Sequence, residues 1–319
     1  MDEAENVPNN LPLIVILGPT ASGKTGYAIE LAKLINGEII CADSRTVYKD
    51  MNIGTAKPTE EEKAGVPHFG LDLVVPNERF TLYDFQQYAY KKIVQIRERG
   101  HIPMLVGGSG LYIDSVIYHY DLTPEKVDLQ KRRELESKST AELQNILVGK
   151  HLPMPTNKFN KRHLVRTIER GGRSLQRQPL DNDTLVFGIQ TDRNGLRERS
   201  KLRSQQMLDD GVIEETKQLL AKYGPCEPLK RNAYGVVQRY LNGEIKYEQI
   251  IDLMVIADGH LVKKQLTWWR KPWRNDDICW CSLDQLKTEL VQLGSLNSSE
   301  IVDRLKIEYK NSCSGHCDN

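Results

Sequence analysis

A chain of 319 residues, 39% apolar and 27% charged, can bury one large core plus a second, smaller unit. A net charge of +1 excludes a globally basic nucleic-acid binder, so any RNA contact must come from local clusters. No apolar run approaches a bilayer span, residues 1–12 are polar and acidic rather than a signal peptide, and six cysteines in this length exclude a disulfide scaffold. A cytoplasmic chain away from membranes is expected.

Leu13 to Leu17 is a β-branched apolar run of strand length, as in a strand buried on both faces. Gly18-Pro19-Thr20-Ala21-Ser22-Gly23-Lys24-Thr25 follows, matching the phosphate-loop pattern G-x-x-x-x-G-K-[ST] at every fixed position. Tyr27, Ala28, Leu31, Ala32 and Ile35 then recur at helical spacing. The glycines let backbone N–H groups converge on an anion at the positive end of this helix. Lys24 adds a point charge, and the Thr25 hydroxyl is placed to ligate Mg²⁺. A diphosphate or triphosphate ligand is expected.

Glu38 to Ala42 reads as a second strand ending in Asp43-Ser44-Arg45. At the carboxyl end of a parallel strand Asp43 points into the ligand crevice; the alternative is a helix-capping aspartate. Residues 47–58 form a polar loop, His68 to Val75 a strand, and Phe80 to Arg99 an amphipathic helix stopped by Gly100. Ile102 to Val106 is a further buried strand running into Gly107-Gly108-Ser109-Gly110, where backbone can approach a ligand and Ser109 offers a hydroxyl. Strands alternating with helices, with motifs at strand ends, predict an α/β fold of the phosphate-loop type: a doubly wound parallel sheet built from residues 11–120 and 185–290.

Residues 121–184 change texture. Pro124 to Lys138 and Thr140 to Leu147 read as charged amphipathic helices, and no buried strand is expected there, so this is an inserted, mainly helical domain. Lys158, Lys161, Arg162, Arg166, Arg170, Arg173 and Arg177 meet one acid, Glu169. A one-sign stripe suggests a phosphate backbone, against a plain solvated face. Leu185 to Ile189 returns the chain to the sheet, and Leu196 to Leu208 is a helix whose Arg203 either reaches the diphosphate or lies on the surface. Residues 224–239 read as a Gly/Pro-punctuated loop, then a helix runs from about Tyr247 to Arg270. The segment 263–274 interleaves basic residues with tryptophans, which stack on bases or fill a core. Residues 291–319 are expected to hold a surface helix, Ser299 to Lys310, and a flexible tail. Cys279 with Cys281, and Cys313 with His316 and Cys317, fit no zinc-module spacing.

Taken together, Gly18 to Thr25, Asp43-Ser44-x-x-Val47-Tyr48, Met51 to Pro58, Leu105 to Tyr112 and Lys263-Lys264-Gln265-x-Thr267-Trp268 resemble the tRNA dimethylallyltransferase family over residues 11–281. Ser109 stands where that family has threonine, keeping the hydroxyl. The resemblance implies transfer of a dimethylallyl group from dimethylallyl diphosphate to the N6 amine of the adenine 3′ of the anticodon in tRNA. It implies Asp43 as proton acceptor, Ser109 orienting the diphosphate or the amine, and Arg203 and residues 18–25 on the diphosphate with Mg²⁺ on Thr25. The tRNA anticodon stem-loop would meet Asp43, Ser44, Arg45, Thr46, Lys131, Lys161, Arg162, His163, Arg166, Arg231, Lys263, Lys264 and Gln265. A monomer is expected. The rival readings are an adenylate isopentenyltransferase acting on a free nucleotide, a phosphate-loop small-molecule kinase, and a non-catalytic RNA-binding protein.

Overall fold

A computed structural model describes residues 11–122, 128–294 and 296–314. The expected helix start at Pro124 and the His316–Cys317 pair lie outside them. The chain divides into two compact units, Met1–Tyr118 with Leu180–Asn319, and His119–Pro179.

The larger unit opens with β1 (Leu13–Leu17), α1 (Lys24–Ile35), β2 (Gly37–Cys41), α2 (Glu60–Lys63), β3 (His68–Phe69), α3 (Leu82–Glu98), β4 (Ile102–Gly107) and α4 (Gly110–Ile117). The smaller unit holds α5 (Leu129–Ser137), α6 (Thr140–Gly149) and α7 (Lys161–Glu169). The larger unit resumes with β5 (Thr184–Gln190), α8 (Arg193–Asp209), α9 (Val212–Tyr223), α10 (Asn232–Leu241), α11 (Ile250–Trp269), β6 (Cys279–Ser282), α12 (Leu283–Leu293) and α13 (Ser298–Ser314).

All six strands pair in parallel, in the order β3-β2-β4-β1-β5-β6. Every residue of β1 is buried, which its unbroken apolar run anticipates for a central parallel strand. The chain leaves β1 towards β2 on one side, whereas the route from β4 ends at β5 on the other. The adjacent β1 and β4 ends therefore form a topological switch point, where such sheets open a crevice. Register places Leu17 beside Gly107 and Cys41 beside Val106, so the loops after β1, β4 and β2 emerge side by side. Ile14, Ile16, Ile39, Met104 and Phe187 pack with α1, α12 and α13 on one face of the sheet. Local signals set the helix starts: Thr81 and Asp84 form a capping box on α3, and Asp192 caps α8 through the Gly195 N–H. Each such cap contributes on the order of 1 kcal/mol.

Several elements differ from expectation. The strand over 68–75 shrinks to His68–Phe69 plus a single bridge from Tyr48 to Val74, because the chain turns at Gly70 and Asp72, both at positive φ. The loop over 224–239 contains most of α10. Gly235 there is no breaker: a Cβ on it would lie 2.5 Å from the Lys230 carbonyl, so the glycine admits the preceding turn. The sheet gains β6 and α12, and α13 is no surface helix, since Ile301, Val302 and Leu305 are buried in the main core. The smaller unit ends at Pro179 rather than 184, because Thr184 already pairs with Leu13. Its helices among the described residues close on Leu135, Leu143, Leu147, Leu164, Val165 and Ile168. No described helix is long and apolar enough to cross a membrane.

Candidate active site

The turn after β1 is shaped by Ala21 and Gly23, both at positive φ, with Gly23 as the cap of α1. It leaves the first N–H groups of α1 without helical partners, facing the crevice edge. Lys24 is half-buried and donates to the Pro19 carbonyl at 3.3 Å. Burial pulls its pKa down to about 8; the Asp43 carboxylate opposes this and the Arg203 guanidinium adds to it. The three groups therefore share one electrostatic environment. Thr25 is exposed beside Lys24.

Asp43 caps no helix. Its Oδ1 accepts from the Arg45 N–H at 2.8 Å in the turn after β2, and Oδ2 has no hydrogen-bond partner among the described residues. Ser109 Oγ accepts from the Ser44 N–H at 2.9 Å, and the Ser109 N–H donates to the Ala42 carbonyl at 3.1 Å. The hydroxyl thus fastens the end of β4 to the residue next to Asp43. Gly107 is required here: a Cβ would stand 2.1 Å from the Ala42 carbonyl oxygen. Arg203 is not a surface arginine; its Nη2 is held by Asp258 at 2.6 Å, and its buried Nε has no partner.

Gln265 requires a correction. Expected to touch RNA, it is buried, accepts from the Thr20 N–H at 3.0 Å and donates to the Gly108 carbonyl at 3.0 Å. Both ends of the amide are taken by backbone, so Gln265 spaces the turns after β1 and β4. The tryptophans near it are packing residues. Trp269 is buried, while Trp268 Nε1 donates to Asp114 at 2.9 Å and its ring lies against Gly110, where a Cβ would come within 2.2 Å. Asp114 in turn pairs with the buried Arg274. The end of α11 is thereby clamped to the start of α4.

The structure brings together residues 18–25, Asp43, Ser44, Ser109, Arg203 and Gln265. Thr46 is buried, which removes it from the surface open to RNA. Arg45 is half-buried, and Lys263 and Lys264 are exposed. Arg231 is exposed but paired with Glu227 at 2.8 Å. Lys131, Lys161, Arg162, His163 and Arg166 belong to the smaller unit. There Arg162 and His163 are exposed on α7, whereas Arg166 leans on Glu169 at 3.6 Å. Glu169 also holds Arg132 at 2.5 Å, so part of the basic stripe is neutralised. Two residues that touch this group escaped the sequence reading. Arg199 donates from Nε to the Ala21 carbonyl at 2.7 Å, and Asp258 aims Arg203; only their spacing on α8 and α11 hinted at either.

A glycine turn of the phosphate-loop pattern after β1, with a carboxylate after β2 at the same edge of a doubly wound sheet, defines an α/β enzyme of the phosphate-loop type. The IPP transferase family profile matches residues 46–272, and that of isopentenyl transferases residues 11–79. The chain belongs to the IPP transferase family, that of the tRNA dimethylallyltransferases. It is 36% identical over 313 residues to the tRNA dimethylallyltransferase of Staphylococcus carnosus, covering 92% of this chain and 96% of that one. A solved structure of the full-length tRNA isopentenylpyrophosphate transferase of Bacillus halodurans superposes with a TM-score of 0.68 at 32% identity, covering 94% of this chain and 98% of that one. A eukaryotic dimethylallyltransferase acting on tRNA shares the fold, with a TM-score of 0.72 at 24% identity over 92% of this chain and 79% of its own.

Proposed function

We propose that this chain transfers a dimethylallyl group from dimethylallyl diphosphate to the N6 amine of the adenine just 3′ of the anticodon in tRNA, releasing diphosphate. The observation that supports it most directly is the pairing of two chemistries at one sheet edge. The cationic turn with Lys24 serves a leaving anion, and Asp43, pinned through Ser44 and Ser109, serves an acceptor proton. In the transfer the allylic C–O bond breaks and its electron pair leaves with the diphosphate. The N6 lone pair forms the new C–N bond, and one N6 proton passes to Asp43. The amine is a poor nucleophile because its lone pair is delocalised into the ring, so stabilising the leaving charge matters most. First-turn N–H groups of α1, Lys24 and Arg203 are the groups placed to do so.

Mg²⁺ fits this donor set. Thr25 is exposed, and its hydroxyl makes no hydrogen bond among the described residues, which leaves it open to a ligand. Magnesium is typically held by one or two protein oxygens, phosphates and water. When bound, it would neutralise part of the diphosphate charge.

The target base has to leave its stack to reach Asp43. Lys131, Lys161, Arg162 and His163 of the smaller unit, and Arg45, Lys263 and Lys264 of the larger, supply phosphate contacts for the anticodon stem-loop. A tRNA acceptor suits a cytoplasmic protein. The test is mass spectrometry of nucleosides from tRNA incubated with the protein, Mg²⁺ and dimethylallyl diphosphate, with AMP as a parallel acceptor. N6-dimethylallyladenosine in tRNA is expected; prenylated AMP with unmodified tRNA would sink the reading.

A further inference from the structure

The smaller unit displays an aromatic side chain that its own core does not use. Phe159 is 76% exposed, although its neighbours on the chain are fastened. The Lys158 carbonyl accepts from Gln144 Nε2 at 2.7 Å, the Asn160 N–H donates to the Asn157 carbonyl at 3.1 Å, and Asn160 Oδ1 caps α7 through the Arg162 N–H at 3.1 Å. The ring is thus presented from a fixed backbone to water, at a hydrophobic cost that packing within the unit does not offset.

Charge identifies what would cover it. The Lys158 ammonium lies 5.4 Å from the ring centroid, and Lys161, Arg162 and His163 form the first turn of α7 directly afterwards. From 143 to 180 the one acid is Glu169, already engaged by Arg132 and Arg166. Cations alone would suit any phosphate backbone. Cations around a rigidly presented, open aromatic face suit a strand whose base is free to stack.

We propose that Phe159 is a stacking platform for an unpaired base of the bound RNA, set among phosphate contacts from the start of α7. This rests on tRNA being the acceptor and adds the contact that reads loop rather than stem, since a paired base has no free face to offer.

The test measures binding of a labelled anticodon stem-loop RNA by fluorescence anisotropy over a series of KCl concentrations. Phe159→Ala is expected to weaken binding roughly ten- to hundredfold, the range of one lost base stack. The slope of log affinity against log salt should stay unchanged, because no phosphate contact is lost. Phe159→Trp should bind like the unaltered protein, and Phe159→Leu like the alanine variant. Replacing each unpaired base by an abasic site should reveal one position that weakens the unaltered protein but not Phe159→Ala. Unchanged affinity of the alanine variant, or leucine serving as well as phenylalanine, would overturn the proposal. So would concentration-dependent self-association in sedimentation that Phe159→Ala alone abolishes, which would give the patch to a second copy. If the unaltered protein fails to bind the stem-loop at all, the tRNA reading falls first and this contact with it.

Discussion

The edge of the sheet and the surface of the smaller unit hold their functional groups in opposite ways. At the edge, the carboxylate, the hydroxyl and the anion turn are fixed by backbone hydrogen bonds and by glycines whose missing Cβ admits a neighbour, as Gly107 admits Ala42. On α7, long side chains stand in solvent, and the one acid present already engages Arg166. The first arrangement suits chemistry, where misplacement by about 1 Å can cost 10²-fold. The second suits phosphate binding, where many weak, screened contacts add up.

That contrast predicts a graded series of effects. Asp43→Ala should cost the most, about 10²–10⁴-fold in single-turnover transfer, because it removes the proposed proton acceptor. Dimethylallyl diphosphate binding, measured by calorimetry, should persist, and normal turnover by this variant would refute the role. Gln265→Ala leaves the Thr20 N–H and the Gly108 carbonyl without their partner. An unpaired buried polar group costs about 1–3 kcal/mol. The melting temperature should fall, and kcat/KM for dimethylallyl diphosphate should drop by up to about 10²-fold as the two turns drift. Unaltered kinetics would show that the spacing is held by other contacts.

A pH effect comes next. Burial holds Lys24 near pKa 8, so the lysine is charged below pH 8 and loses its proton above it. Affinity for the diphosphate should therefore fall as pH rises through 8, by at most about tenfold per unit for one linked proton. Lys24→Arg, which stays charged, should remove the break. A profile flat from pH 7 to 9.5 in the unaltered protein would contradict this. The smallest effects belong to the basic residues at the start of α7. Lys161→Ala and Arg162→Ala should each weaken tRNA binding a few-fold and lower the salt slope by about one. Arg166→Ala should change it less, since Glu169 already shares that charge. Equal losses at Arg162 and Arg166 would show that the ion pair opens on RNA.

Much of the site was legible because its signals are local. A glycine pattern between an apolar run and a helical one allows few conformations, and an acid directly after a strand inherits the strand's direction. Gln265 carried no such signal: its partner Thr20 lies 245 residues away, and beside two exposed lysines it reads as another surface residue. The strand Cys279–Ser282 was too short and too mixed to show a period, and Gly235 fell in a stretch read as a loop while serving a close approach within α10.

By itself the amino-acid order determined that a glycine turn of the phosphate-loop pattern opens α1, that Asp43 and Ser109 follow strand ends, and that the insert is helical and basic. Each follows from steric limits acting over a few consecutive residues. Only the tertiary structure decided that β4 lies between β2 and β1, which brings Asp43, Ser109 and the anion turn to one edge. It also turned Gln265 inward and Phe159 outward. Pairing order and burial depend on which distant surfaces close together, and such contacts leave no imprint on neighbouring residues.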